Sequence, residues 1–314
     1  MQNIGVDIGR GYVKVGTVKN GKPYHMLFKS IIGDGRTDNI DFDKYDEPIC
    51  IKLNGKTYFV GELSEKESYS PIRYNNDDKT TKTVEILLCA ALMKVATNDD
   101  VSIVLGVPNR SYSKKILKKV QDKYKGKKYE IVNAIDNSTK YVTIRNIMIF
   151  READAAFIGL KNKGIVDDSK SPVGLVNIGF TTSEFAYFDK GGKFIDSLSE
   201  TLGYGNKDAL GIVKNQLKHK NITKETFQID SSDDYDDMKE VAYDIMSEKI
   251  NQYVTDIWNN IDEMDIRVTG GTSQMLQLDS RYKVVDNPQM ATCEGLYDIC
   301  VELYGGEVDE EENE

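Results

Sequence analysis

Near its start the chain reads Asp7-Ile8-Gly9-Arg10-Gly11-Tyr12-Val13-Lys14. An acid closes an apolar run, two glycines follow, and a lysine lies three residues past the second glycine. Glycines let backbone amides converge into a nest that suits phosphate oxygens. Asp7 at the strand end could hold the water shell of Mg2+, an ion that usually keeps several waters. Lys14 could reach a phosphate. A second stretch, Asn177-Ile178-Gly179-Phe180-Thr181-Thr182, overlays the first, with Asn177 on Asp7 and Gly179 on Gly9. A third feature, Gly270-Gly271 before Thr272, closes the short run Ile266–Thr269 and lets a flat adenine or ribose approach the backbone. Either hairpin alone is an ordinary glycine turn. The pair together with Gly270-Gly271 describes a clamp on a nucleotide phosphate chain. Lys207, at the predicted start of a helix, could reach the same ligand. A solvated surface lysine is the commoner use of such a position.

Other nucleotide motifs fail. Gly16 to Lys22 imitates a P-loop, but Pro23 replaces the required Ser or Thr and a strand follows instead of a helix. No G-x-G-x-x-G follows Gly9 or Gly203, so a Rossmann site is unsupported.

These residues need elements to hold them. Residues 4–18 are predicted as strand, glycine turn, strand, and 24–32 as a third strand. Asn54-Gly55 marks a hairpin within 49–60. Residues 62–80 are polar without a period and are predicted as loop. Helical spacing covers 83–96, a buried-type strand 101–107, and a lysine-faced helix 111–124. Strands are predicted at 129–135 and 140–150, and a helix at 152–161. The second half repeats the opening hairpin at 173–188. It continues with a helix at 206–218 and a long helix with Met238, Val241, Ile245, Ile250, Val254, Ile257, Trp258 and Ile261 on one stripe. Gly270-Gly271 is predicted to start another helix. A strand at 282–286 and a helix at 290–304 close the fold. Strands and helices in two similar halves indicate an α/β protein with a cleft between lobes.

The 314 residues suit two domains and a large core. The net charge of −10 is uneven: six acids lie in 307–314 and five in 230–237, whereas 110–128 carries nine Lys or Arg against one acid. A mainly acidic chain is no nonspecific polyanion binder. The basic stripe keeps a DNA-binding alternative open, with a solvated helix face as its commoner explanation. The tail 307–314 is expected to be disordered. Four cysteines without C-x-x-C spacing and only two histidines argue against structural zinc and for a reduced cytoplasm. No signal peptide or membrane span is expected.

The motifs resemble the actin, sugar-kinase and heat-shock-chaperone ATPase superfamily. Asp7 to Lys14 is similar to its first phosphate loop, Asn177 to Thr182 to its second, and Val268 to Thr272 to its adenosine motif. Glu152 to Ala156 and Ala291 to Gly295 stand where its connecting helices lie. The short chain, Tyr58 to Glu62, Gly106 to Asn109 and the Thr181-Thr182 pair resemble the bacterial actin-like ParM proteins that segregate plasmids.

The resemblance implies two duplicated ribonuclease-H-like α/β lobes around a nucleotide cleft. Domain I would be 1–152 with 290–314, carrying a small insertion at about 30–82, and domain II would be 153–289. It implies Mg2+ with ATP, GTP being possible. Asp7 would serve the Mg2+ environment, and Gly9, Arg10, Gly11, Tyr12 and Lys14 the phosphates. Gly179, Thr181 and Thr182 would grip them from the other lobe. Gly270, Gly271 and Thr272 would line adenosine, and Glu152 would orient the attacking water. Asn177 stands where the family has Asp, so it brings no charge to the metal; Asp7 and Glu152 would carry more of that role, or hydrolysis would be slow. Arg10 replaces a small residue and could meet a phosphate or point away. Implied partners are the chain itself, in a filament, and a ParR-like adaptor on centromere-like plasmid DNA, with no direct DNA or membrane contact. The runner-up is a small-molecule kinase of the same superfamily, for which no substrate-side carboxylate base stands out.

Overall fold

The computed structural model describes residues 1–306; the acidic tail 307–314 lies outside them. The chain forms two units, one of Met1–Gly159 with the segment from Thr292, the other of Leu160–Ala291.

The first unit is built on ten strands: β1 Gln2–Ile8, β2 Tyr12–Lys19, β3 Lys22–Lys29, β4 Ile31–Asp34, β5 Ile49–Leu53, β6 Lys56–Val60, β7 Ile72–Arg73, β8 Asp100–Val107, β9 Lys128–Asn133 and β10 Thr139–Arg151. Their order in the sheet is β3-β2-β1-β8-β10-β9-β5-β6-β4-β7. β1, β8 and β10 run parallel at the centre. Their apolar runs suit strands covered on both faces. Ile4, Val6, Ile8, Ile103 and Leu105 are fully buried. Helices α1 Glu62–Glu67, α2 Lys82–Val95, α3 Lys114–Tyr124 and α4 Glu152–Asn162 complete the chain up to the second unit. Thr81 caps α2, as a hydroxyl before a first turn can. Its Oγ1 accepts from the Val84 amide at 3.3 Å.

The second unit holds β11 Val173–Ile178, β12 Ser183–Phe188, β13 Glu200–Leu202, β14 Asp265–Thr269 and β15 Tyr282–Val284, in the order β13-β12-β11-β14-β15. Its helices are α5 Asn206–His219, α6 Thr226–Asp230 and α7 Asp236–Ile257. Trp258 is buried over Gly174, where a Cβ would come within 2.6 Å of its ring. A buried indole needs a partner for its N–H. Trp258 Nε1 donates to the Leu198 carbonyl at 2.8 Å.

The two sheets share one pairing pattern. β3-β2-β1-β8-β10 and β13-β12-β11-β14-β15 each read antiparallel, antiparallel, parallel, parallel. Ile8 pairs with Val13, and Ile178 with Ser183, so the overlay of the two motifs holds in the strand register. The chain enters the second unit within α4 and leaves it at the start of the last helix, α8 Ala291–Tyr304. α8 packs directly on β1: a Cβ on Gly5 would collide with the Tyr297 amide. Gly295 of α8 meets α4 in the same way, since an added Cβ would overlap the Ala155 carbonyl.

Several expectations change. The polar stretch 62–80 contains α1 and β7, both too short to show a period. The third strand is two, broken at the buried Ser30, and β4 joins the far side of the sheet. The turn after β14 opens a 3-10 helix, Gly271–Met275, in place of an α-helix, with the Ser273 hydroxyl bonded back to the Gly270 carbonyl at 2.7 Å. In α7 the buried side is Ala242, Tyr243, Met246, Ser247, Ile250 and Val254, which leaves Val241 and Ile245 exposed. The helix expected at 111–124 begins at Lys114, capped by Ser113.

Candidate functional site

The β1–β2 turn is tied down through its carbonyls. The Gly9 amide donates to the Tyr12 carbonyl at 3.0 Å. Ser30 binds both glycine carbonyls: its hydroxyl donates to Gly9 at 2.6 Å and its amide to Gly11 at 2.9 Å. The amides of Arg10 and Gly11 have no acceptor among the described residues. Successive unfilled amides are what an anion nest requires. Gly9 does not adopt a positive φ; a Cβ there would crowd the Tyr12 oxygen at 3.1 Å.

Beneath the turn lie Asp7 and Lys14, cross-strand partners in β1 and β2. Lys14 Nζ contacts Asp7 Oδ2 at 2.8 Å, and Asp7 is 4% exposed. Burial pulls the Lys14 ammonium toward neutrality, but the Asp7 charge and hydrogen bond outweigh it and hold the pKa above the ordinary lysine value. Asp7 Oδ1 is buried without a hydrogen-bond partner. A buried carboxylate oxygen with nothing to accept costs about 1–3 kcal/mol, so the site suits a hydrated cation or a donor from a ligand.

Glu152 opens α4 and is mostly buried. Gly106 at the end of β8 leaves it room, since a Cβ there would come within 3.1 Å of Glu152 Cγ. Arg10 does not stay free: its Nη2 meets Asp77 Oδ1 at 2.8 Å, and Arg110 holds the other oxygen of the same carboxylate.

The second turn repeats the first. The Gly179 amide donates to the Thr182 carbonyl at 2.9 Å, and a Cβ on Gly179 would meet that oxygen at 3.1 Å. The Gly179 carbonyl accepts from the Asn206 amide at 3.1 Å and from Thr272 Oγ1 at 3.2 Å. The Phe180 carbonyl accepts from the Lys207 amide at 2.8 Å. The turn is thereby seated on the first residues of α5, with the Thr181 amide left without an acceptor among the described residues. Gly205 is needed for this approach, because a Cβ would lie 2.7 Å from the Gly179 oxygen. Gly270 has φ +89, and a Cβ there would collide with the Ile178 carbonyl. Asn177 Oδ1 accepts from Thr269 Oγ1 at 3.4 Å, and the buried Glu184 sits opposite Asn177 where Lys14 sits opposite Asp7. Thr272 is buried and its hydroxyl serves the turn. Lys207 is exposed at the start of α5. Gly271 packs against Gln289.

In the first unit the structure gathers Asp7, Gly9, Gly11, Lys14 and Glu152; in the second, Asn177, Gly179, Thr182, Gly270 and Thr272 share one set of contacts. Sequence reasoning missed Ser30, Asp77 and Lys79. Each is a single polar residue in a stretch without periodicity, and no motif marks them. Among the described residues there is no His, Cys, Asp or Glu group that could hold a metal by itself, and no helix long and apolar enough to cross a membrane. All four cysteines are buried, and none forms a disulfide among the described residues.

Residues 5–153 match the family described as actin like proteins N terminal domain. No curated protein matches the chain. Among solved structures, the archaeal actin homologue Ta0583 superposes with a TM-score of 0.80 at 16% identity, over 96% of this chain and 100% of that one. A ParM from a 15-stranded filament of Clostridium botulinum gives 0.81 at 21%, over 96% and 99%. Bacillus thuringiensis ParM with ATP gives 0.69 at 13%, over 96% and 99%. The resemblance drawn from the motifs is borne out in the architecture. The chain has the actin-like fold, and its residues 5–153 are similar to the actin-like N-terminal domains.

Proposed function

We propose that the chain binds ATP with Mg2+, hydrolyses it, and assembles with itself into filaments in a nucleotide-dependent way. The observation that carries this is the buried Asp7–Lys14 pair, with one carboxylate oxygen unfilled, below a turn whose Arg10 and Gly11 amides have no acceptor among the described residues. Mg2+ would neutralise phosphate charge, and Asp7 is the residue suited to its water shell. The amides of Arg10 and Gly11, with Lys14, would hold phosphate oxygens. Gly179, Thr181 and Thr182 would do so from the second unit, and Gly270 and Gly271 would admit adenosine. Tyr12, Lys207 and Thr272 complete the proposed set; Arg10 contributes its amide, since Asp77 holds its side chain. Asn177 adds no charge, so Asp7 and Glu152 would carry more of the metal-side and water-orienting role. GTP would fit the same phosphate contacts.

Filament formation is supported by the fold shared with the Clostridium botulinum ParM, which forms one. Plasmid segregation through a ParR-like adaptor on DNA is the cellular role proposed for such a filament. Light scattering with and without Mg-ATP, run beside phosphate release, tests this. Nucleotide-dependent scattering followed by decay is expected; no assembly at micromolar protein overturns the filament. Glu152→Ala should assemble and then disassemble slowly, with phosphate release reduced about 100-fold. Disassembly as fast as the parent's would remove the water-orienting role.

A further inference from the structure

Lys79 lies in the segment between β7 and α2 and is 2% exposed. A lysine this buried normally has its charge balanced and its donors filled. Here Nζ makes one hydrogen bond, to the Ile8 carbonyl at 2.7 Å, where β1 runs into the glycine turn. Glu152 Oε1 stands 4.0 Å away, beyond hydrogen-bond range, and the Tyr74 ring centroid 5.4 Å away. An ammonium carries three N–H donors. Two of them therefore have no acceptor among the described residues. Two more buried atoms near this point lack partners, Asp7 Oδ1 and the Tyr74 hydroxyl. Unfilled donors and acceptors gathered beside one turn mark a place where a polar ligand completes the bonding.

The segment is fixed from several sides, so the ammonium is delivered to one position. The Tyr124 hydroxyl donates to the Lys79 carbonyl at 2.8 Å, and the Tyr74 amide to the Ser30 carbonyl at 2.9 Å. Asp77 is held by Arg10 and Arg110, and Asp78 accepts from Thr80. Ser30 and Arg10 belong to the turn's own network, so Lys79 and the turn are positioned by shared contacts.

We propose that Lys79 is a second phosphate-contacting cation of the site, donating to an oxygen of the terminal phosphate while Glu152 orients the water that attacks it. This rests on the ATP hydrolysis proposed above. Nζ and Glu152 Oε1 are 4.0 Å apart. That gap admits one water that accepts from Nζ and donates to Glu152, with each bond about 2.8 Å long and about 90° between them, which leaves the third Nζ donor for a phosphate oxygen. In the step, the water oxygen bonds to the terminal phosphorus. The bond from that phosphorus to the bridging oxygen breaks, and its electron pair leaves on ADP. Both water protons depart on the phosphate, as dihydrogen phosphate. The Lys79 ammonium opposes the negative charge spread over the phosphoryl oxygens.

The test compares Lys79→Met, Lys79→Arg and the unaltered protein. ATP and ADP affinities are read by displacement of a fluorescent ADP analogue, and phosphate release in a single turnover. For Lys79→Met, release should fall about 100-fold and ATP affinity about tenfold, with ADP affinity within about twofold. Lys79→Arg should recover part of the rate. Release within about threefold of the parent, or equal losses of ATP and ADP affinity, overturns the proposal. If the unaltered protein binds ATP without releasing phosphate, hydrolysis fails as a function. The selective loss of ATP affinity then decides the Lys79 contact by itself. A structure of the unaltered protein with Mg2+, ADP and beryllium fluoride decides the matter even if Lys79→Met does not fold. Nζ within about 3.2 Å of a fluoride supports the contact, and Nζ bonded to Ile8 alone overturns it.

Discussion

Asp7 and Lys14 carry the sharpest energetic consequence at the scale of single residues. Their charges are buried together, so removing one strands the other. Lys14→Met should lower stability by about 3 kcal/mol, read as a drop in thermal midpoint, and Asp7→Asn in the same chain should restore most of it. No recovery in the double variant would mean that the pair is not what Lys14 stabilises. The Lys14 pKa is raised in the fold. The pair's contribution is therefore complete at neutral pH and is lost only as pH climbs past about 10.4 toward the folded value. Asp7, Gly9, Lys14 and Gly179 were legible because glycines at a fixed distance from a strand-end acid or amide occur in both halves of the chain. The reason for the glycines was not: a Cβ on Gly9 or Gly179 would crowd a carbonyl oxygen at 3.1 Å, and of the site's glycines only Gly270 uses a positive φ. Lys79 was invisible because its burial is set by contacts from β1, α3 and the turn, none adjacent in sequence.

Among the elements, α2 shows how a charge can sit in a core. Glu85 is 5% exposed in a helix otherwise apolar on its buried faces. Burial opposes its ionisation, yet Lys127, Lys82 and Lys123 outweigh that and hold its pKa down at about 2. A depressed carboxylate stabilises the fold above its unfolded pKa and loses that contribution as pH falls through the folded one. Stability should therefore decline between about pH 4.3 and about pH 2, and Glu85→Gln should flatten that part of the profile while lowering stability at neutral pH by about 2 kcal/mol. Thermal unfolding across that range and at neutral pH checks this; an unchanged acid slope would show that other carboxylates dominate. Long periodic elements were legible, as α2 and β8 show. α7 was misjudged because Ala242 and Ser247 face inward: the Ser247 hydroxyl is satisfied by Tyr243 and Gln277, so a polar residue costs little there. α1 and β7 were missed because they hold only six and two residues.

Across the whole molecule, charge is less segregated than the sequence suggests. In the basic stripe Arg110 pairs with Asp77, Lys119 with Asp78, and Lys123 and Lys127 with Glu85. The exposed remainder is Lys114, Lys115, Lys118, Lys125 and Lys128. Five lysines without an ion pair among the described residues, on an acidic protein, are a smaller positive surface for a duplex than the nine basic residues of the stripe suggest. A gel shift at low salt should show no retardation of DNA; retardation that vanishes as salt rises would restore the stripe as a nucleic-acid site. If the stripe meets acidic surface on a neighbouring copy instead, nucleotide-dependent scattering should fall about twofold or more between about 0.05 and about 0.3 M salt. The matched turns have a further consequence, for how far sequences can differ. Both are built from main-chain bonds, Gly9 to Tyr12 and Gly179 to Thr182, while the flanking pairs differ, Asp7 and Lys14 in one and Asn177 and Glu184 in the other. A geometry written in the backbone leaves most side chains free to drift. Two chains can then share the fold while few of their residues coincide, as the superposition on the archaeal actin homologue at 16% identity illustrates.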